Sequence, residues 1–228
     1  MLHRSINEFV GDTERISDND ILTALVSMMV AQSEARQSNR FPFVGSLASY
    51  LASSIFAKSK EFATEIVFDM RPRLAGLRTA EYTGNAVFAG CLTMPLKTMA
   101  GSIDVCSLAQ VARSVRQLVA RVDSQYIGQL MDTLNSDPLR FMCPLAQDIV
   151  RMPAVVSNQS RFELYTADFG SGIPAWTSPI KTLFPHYVSI VPAHPLTGGY
   201  GIHITMSKRA MAIILQDKFW MNTVEFVY

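Results

Sequence analysis

The spacing of hydrophobic positions changes several times along the chain, and each change marks an element. From Ser17 the run SDNDILTALVSMMVAQSEAR sets Ile21, Leu22, Leu25, Met28 and Met29 at helical spacing, which predicts an amphipathic helix with core-filling methionines. Ser17 is suited to cap it, and Asp18 and Asp20 complement its positive end. A weaker helical stretch is expected over 46–60, with Leu47, Leu51, Ile55 and Phe56 on one face. Phe62 to Asp69 then alternates, so Phe62, Thr64, Ile66 and Phe68 share one face of a strand that Pro72 prevents from continuing. Gly84-Asn85 is a turn signal, with Asn85 ordering its backbone, and it feeds an apolar strand expected to be buried on both faces.

Ser107 and Gln110 have capping-box spacing ahead of Leu108, Val111, Val115, Leu118 and Val119, which predicts a second strong helix. Arg113, Arg116 and Arg121 are expected on its solvated side. Asp123 or Ser124 opens a further helix that Asn135 to Pro138 ends. A short strand is expected over Pro153–Asn158, and the alternation in Phe162–Asp168 reads as another strand entering a glycine-containing loop. Tyr187–Val191 and Tyr200–Met206 form a hairpin pattern around PAHPLTGG, and Ser207 caps a last helix, KRAMAIILQDKF. Helices interspersed with strands predict an α/β fold, a layered mixed sheet with flanking helices. Residues 1–15 are expected to be a lead-in and 16–228 a single domain.

Composition removes several function classes. The formal net charge is +1 with no basic cluster, which argues against a nucleic-acid or anionic-membrane partner. The apolar stretches Ile21–Ala31 and Ala86–Leu96 fall short of the roughly 20 residues a bilayer demands. The first residues carry no continuous apolar run behind their positive charge, so no secretory signal is read there and a cytoplasmic protein is expected. Cys91, Cys106 and Cys143 are scattered, without metal-ligand spacing, as reduced thiols would be; no metal is expected.

The candidate chemistry gathers around Phe162–Trp176, FELYTADFGSGIPAW. Asp168-Phe169-Gly170 matches the magnesium-binding triplet of protein kinases, but no His-Arg-Asp loop precedes it, no glycine-rich loop opens the chain and no Ala-Pro-Glu follows. The longer string DFGSGIP resembles instead the Asp-Phe-Gly-Trp-Gly-x-Pro signature of the CoA-dependent acyltransferases known as the BAHD family, with Ser171 in place of Trp. The order of the segments SDNDILTAL, VFDMRPRL, TGNAVFAG, SNQSRFELYTADFGSG and GGYGIHITMSKRAM is similar to the C-terminal half of that family's plan.

The resemblance implies a fold like the C-terminal domain of chloramphenicol acetyltransferase-like enzymes. It also implies transfer of an acyl group from acyl-CoA, as cosubstrate, to a hydroxyl or amine of a small metabolite, as part of a longer enzyme. On the same ground Asp168, Phe169, Gly170 and Gly172 form a structural motif, Asp168 pairs with Arg71 or Arg73, and Ser157, Asn158 and Asn85 lie near substrate or CoA. The family's catalytic base sits in His-x-x-x-Asp, and none of the four histidines here (His3, His186, His194, His203) has aspartate four residues on. No catalytic residue is therefore assigned, and two readings stand: one half of an acyltransferase, which needs a missing N-terminal half or associates with itself, or a truncated, non-catalytic interaction module.

Overall fold

The computed structural model describes residues 6, 8, 15–38, 60–74, 82–138, 154–180 and 185–225. The expected helix over 46–60 and Cys143 lie outside the described residues. Among the described residues, five strands form one mixed sheet. They are β1 (Glu61–Asp69), β2 (Val87–Pro95), β3 (Ala154–Asn158), β4 (Tyr187–Pro192) and β5 (Tyr200–Thr205), in the order β2-β1-β3-β4-β5. β1, β3 and β4 run parallel, and β2 and β5 pair antiparallel to them at the two edges. The α/β layered sheet read from the pattern is the one observed.

Helix α1 (Asp18–Ser38) lies in the middle of the molecule, packed on β3 and on helices α3 (Val105–Arg121) and α5 (Lys208–Ile214). The expected amphipathic helix is buried over most of its length and not on one face alone, because sheet and helices enclose it on several sides. Two of its buried hydroxyls bond back to the helix: Ser27 Oγ donates to the Thr23 carbonyl at 2.6 Å, and Ser33 Oγ to the Val30 carbonyl at 2.8 Å. Met28 and Met29 fill the core as expected. Ile66, Phe68, Val156, Val188 and Ile190 meet α1 and α3 from the sheet, and Ile6 of the lead-in is wholly buried in the same core.

Several boundaries differ from the pattern reading. α3 is capped by Asp104, not Ser107: the Asp104 carboxylate accepts the Ser107 amide at 2.8 Å, and Ser107 Oγ accepts the Asp104 amide at 3.0 Å. Ser107 thus closes the capping box at its N3 position rather than opening it as the N-cap. A short helix α2 (Leu96–Met99) follows β2 directly, and α4 (Ser124–Ser136) starts after its Asp123 cap as expected. β2 is not buried on both faces: along it Gly90 and Met94 are buried, while Val87 is 58% exposed. The last helical pattern divides into α5 and α6 (Lys218–Thr223), since the Asp217 carboxylate caps a new helix at the Phe219 amide.

Candidate functional site

The parallel strands β1, β3 and β4 end at the same rim of the sheet, the position where open α/β sheets hold their ligands. Ser157 and Asn158 close β3 at that rim. Asn85 precedes β2, whose first residue pairs with Asp69 at the end of β1, so the turn falls at the same end of the sheet, two strands from β3. The structure therefore gathers the three expected contact residues along one edge without bringing Asn85 against the other two.

The Asn158 side chain is committed within the protein. Its Nδ2 donates to Asn19 Oδ1 on α1, and its Oδ1 accepts the Ser160 amide at 2.8 Å. Ser157 is buried, and its Oγ accepts from Gln159 Nε2 at 3.3 Å, which leaves the hydroxyl proton available to donate. Strand register extends Ser157 into a row on the sheet face opposite α1: Val67, Ser157, Ser189 and His203 stand side by side on β1, β3, β4 and β5. Ser189 is 1% exposed, and its hydroxyl has no hydrogen-bond partner among the described residues. Beside it, burial lowers the pKa of His203 and so favours its neutral imidazole, while Trp176 stands at 6.4 Å between ring centroids. Ser189 and His203 were missed because only a sequence motif was sought around each histidine. Alternation within Tyr187–Val191 and Tyr200–Met206 places them on one face once the hairpin register is known.

Residues 162–180 cross this face without forming the expected strand. A single 3₁₀ turn, Leu164–Thr166, buries Tyr165, whose ring meets His194 edge-on at 5.1 Å. The Asp168 carboxylate accepts the amides of Gly170 at 2.7 Å and Gly172 at 3.0 Å, so it closes its own loop in the manner of an Asx turn. Gly170 and Gly172 have φ of +96° and +93°, a region that L side chains rarely adopt, which accounts for glycine at both places.

Asp168 does not pair with either arginine. It is exposed, so its charge stays in water, and both arginines serve other groups. Arg71 Nη1 bonds the Asp69 carboxylate at 3.1 Å, and its Nη2 the Gly84 carbonyl at 2.7 Å. Arg73 Nη1 donates to the carbonyls of Val119, at 2.9 Å, and Val122, and its guanidinium lies 5.1 Å from the Phe68 ring centroid. Burial first, and the nearby Arg116 charge second, lower the Arg73 pKa.

Arg116 leaves the solvated face expected for it. Its Nε donates to Asp20 Oδ2 at 2.8 Å and its Nη2 to Ser17 Oγ at 2.7 Å, and Ser17 Oγ in turn donates to Asp20 Oδ2. A wholly buried carboxylate requires such a partner, and the start of α1 supplies the carboxylate. Among the described residues, no cluster of three or more His, Cys, Asp or Glu side chains is arranged to hold a metal, and no helix is long and apolar enough to cross a membrane.

Comparison with known proteins places this arrangement. The profile of the Transferase family matches residues 33–220. The O-acetyltransferase pboB of Aspergillus ustus is 26% identical over 165 residues, 70% of this chain and 33% of that protein. The shikimate O-hydroxycinnamoyltransferase of Nicotiana tabacum is 26% identical over 164 residues, 72% of this chain and 36% of its own length. Among solved structures, vinorine synthase superposes with a TM-score of 0.62 at 11% identity, covering 92% of this chain and 43% of that one. The TRI101 protein of F. sporotrichioides, solved with coenzyme A and T-2, gives 0.63 at 15% identity, covering 97% and 47%. The chain thus spans about a third of the curated relatives it matches and under half of the solved ones. Over most of its length it belongs to the Transferase family of BAHD-type acyltransferases.

Proposed function

We propose that this chain supplies one wall of an acyl-CoA-dependent transferase site, in which an acyl group passes from the CoA thioester to a hydroxyl or amine of a small metabolite. The observation that carries this reading is the family match over residues 33–220. A neighbour of the same fold, TRI101 of F. graminearum, was solved with coenzyme A and deoxynivalenol. In this reading Ser157 donates its hydroxyl proton to the thioester or to the acceptor at the sheet rim. Asn158 holds the β3 end against Asn19, and in the neighbouring turn the Asn85 carbonyl accepts the Tyr82 hydroxyl at 3.4 Å.

The chain carries no His-x-x-x-Asp, so the general base, which speeds such transfers by about a hundred- to ten-thousand-fold, belongs to a companion polypeptide or a further segment. The DFGSG loop is structural: Asp168 closes it, Gly170 and Gly172 make it possible, and Phe169 projects from it. Residues 16–228 act as one unit in a cytoplasmic setting.

Calorimetric titration with CoA tests the reading, on the chain together with a polypeptide bearing the His-x-x-x-Asp half of a family member. Saturable binding that weakens several-fold in Ser157→Ala is expected. No heat from a pair shown to associate would leave the alternative, a non-catalytic interaction module.

A further inference from the structure

The segment crossing the Ser189–His203 face exposes large apolar side chains to a degree unusual for a folded domain. Phe169 is 95% exposed, Ile180 94%, Trp176 57% and Ile173 54%, and Leu196, in the loop between β4 and β5, is 90% exposed. Apolar surface concentrated in this way marks an interaction site. The adjoining edge strand β5, Tyr-Gly-Ile-His-Ile-Thr, contains no Lys, Arg, Asp, Glu or Pro, the residues that usually guard an open edge.

Resting on the reading of the chain as half of a transferase, we propose that it pairs with a second copy of itself through residues 162–180 and the neighbouring β4–β5 loop. Four observations favour this occupant. The segment is bordered and carried by exposed charges of both signs, Arg161 beside Glu163 and Asp168, so an isologous contact can set Arg161 of each copy against an acid of the other. The net charge of +1 opposes self-association only weakly. Joined face to face, these apolar side chains would cover roughly 600 Å² on each copy, which brings the contact into the range of specific interfaces. Two copies also hold about as many residues as one solved relative, of which a single chain covers 43% to 47%.

The self-paired form has no His-x-x-x-Asp in either copy and covers the face over Ser189 and His203. It is therefore a resting assembly, and a companion carrying the base would have to displace it or bind elsewhere.

Light scattering coupled to size exclusion, over a range of protein concentrations, tests the pairing. The wild-type chain should run as a dimer at micromolar concentration, and the double variant Phe169→Ser, Ile180→Ser as a folded monomer by circular dichroism. Both positions are exposed, so neither change removes core packing. The charge reversal Arg161→Glu should weaken the dimer at least several-fold, and adding Glu163→Arg should restore it in part. A wild-type monomer at all concentrations, a dimer indifferent to these substitutions, or polydisperse aggregate would each overturn the inference. CoA titration of the monomeric double variant with the companion half separates the outcomes: retained binding there leaves the transferase reading standing whatever the dimer does.

Discussion

The guanidinium of Arg116, on α3, holds the buried carboxylate of Asp20, 96 positions earlier in the first turn of α1. One oxygen of that carboxylate takes bonds from Arg116 and Ser17, while the other is buried without a hydrogen-bond partner among the described residues. Asn19, next in sequence, bonds Asn158 at the rim of the sheet. The pair thus ties the core helix, α3 and the candidate site together. Arg116→Leu, which strands the carboxylate, should cost about 2–4 kcal/mol in urea unfolding; the lower part of the range allows for the partial exposure of Arg116. Asp20→Leu combined with Arg116→Leu should recover most of the loss, and a double variant as unstable as Arg116→Leu alone would argue against this account.

Arg73 should prove a structural residue despite the separation of α3 from β1 in sequence. Its bonds to the Val119 and Val122 carbonyls satisfy the end of α3, and its side chain covers Phe68. Arg73→Ala is expected to cost about 1–3 kcal/mol, and Arg73→Lys to recover only part of it, because one ammonium cannot reproduce a planar group that bonds and stacks at once. Equal midpoints for wild type and Arg73→Ala in denaturant would contradict this.

The loop glycines separate conformational strain from crowding. Among the described residues, no atom beyond the chain neighbours lies within 4 Å of a Cβ added at Gly170, so Gly170→Ala should lose about 1–2 kcal/mol through its φ alone. Gly128, in helix α4, has equally open surroundings and an ordinary helical backbone, and Gly128→Ala should gain about 0.5–1 kcal/mol. Thermal unfolding of the two variants should shift in opposite directions.

His203 predicts a pH dependence. Its folded pKa lies below the usual histidine value, so near and below pH ~6.5 the unfolded chain binds the proton more readily than the folded one. The stability it contributes is present above the unfolded pKa and is lost as pH falls through the folded pKa. Unfolding midpoints measured from pH 8 to pH 5 should therefore fall less steeply in His203→Gln than in the wild type. Parallel profiles would show that His203 is not set apart in this way.

Much of the sheet was legible because β1, β4 and β5 alternate cleanly and their neighbours carry recognisable turns and caps. The run Phe162–Asp168 alternates as well, yet it is a 3₁₀ turn; only Tyr165 in its centre is buried, and nothing in the spacing distinguishes one anchored aromatic from a strand face. Arg116 read as a solvated side chain because its partner lies in another helix, and β2 read as fully buried because its apolar run does not record which of its faces other elements cover. The DFGSG string identified the family but not the pairing of Asp168. The resemblance pointed to an arginine, and this loop satisfies the carboxylate with its own amides. Ser189 and His203 face one another only through the hairpin register, which no motif records.

The most direct test of the account is an acyl-transfer assay with acetyl-CoA and a panel of hydroxylated acceptors. It should be run on the purified chain and on the chain mixed with a companion polypeptide carrying His-x-x-x-Asp. Release of free CoA with product is predicted only in the mixture, and it should vanish when the companion's histidine is replaced by alanine. Turnover by the chain alone that matches the mixture, or an associated pair that binds CoA yet transfers nothing to any acceptor, would contradict the account.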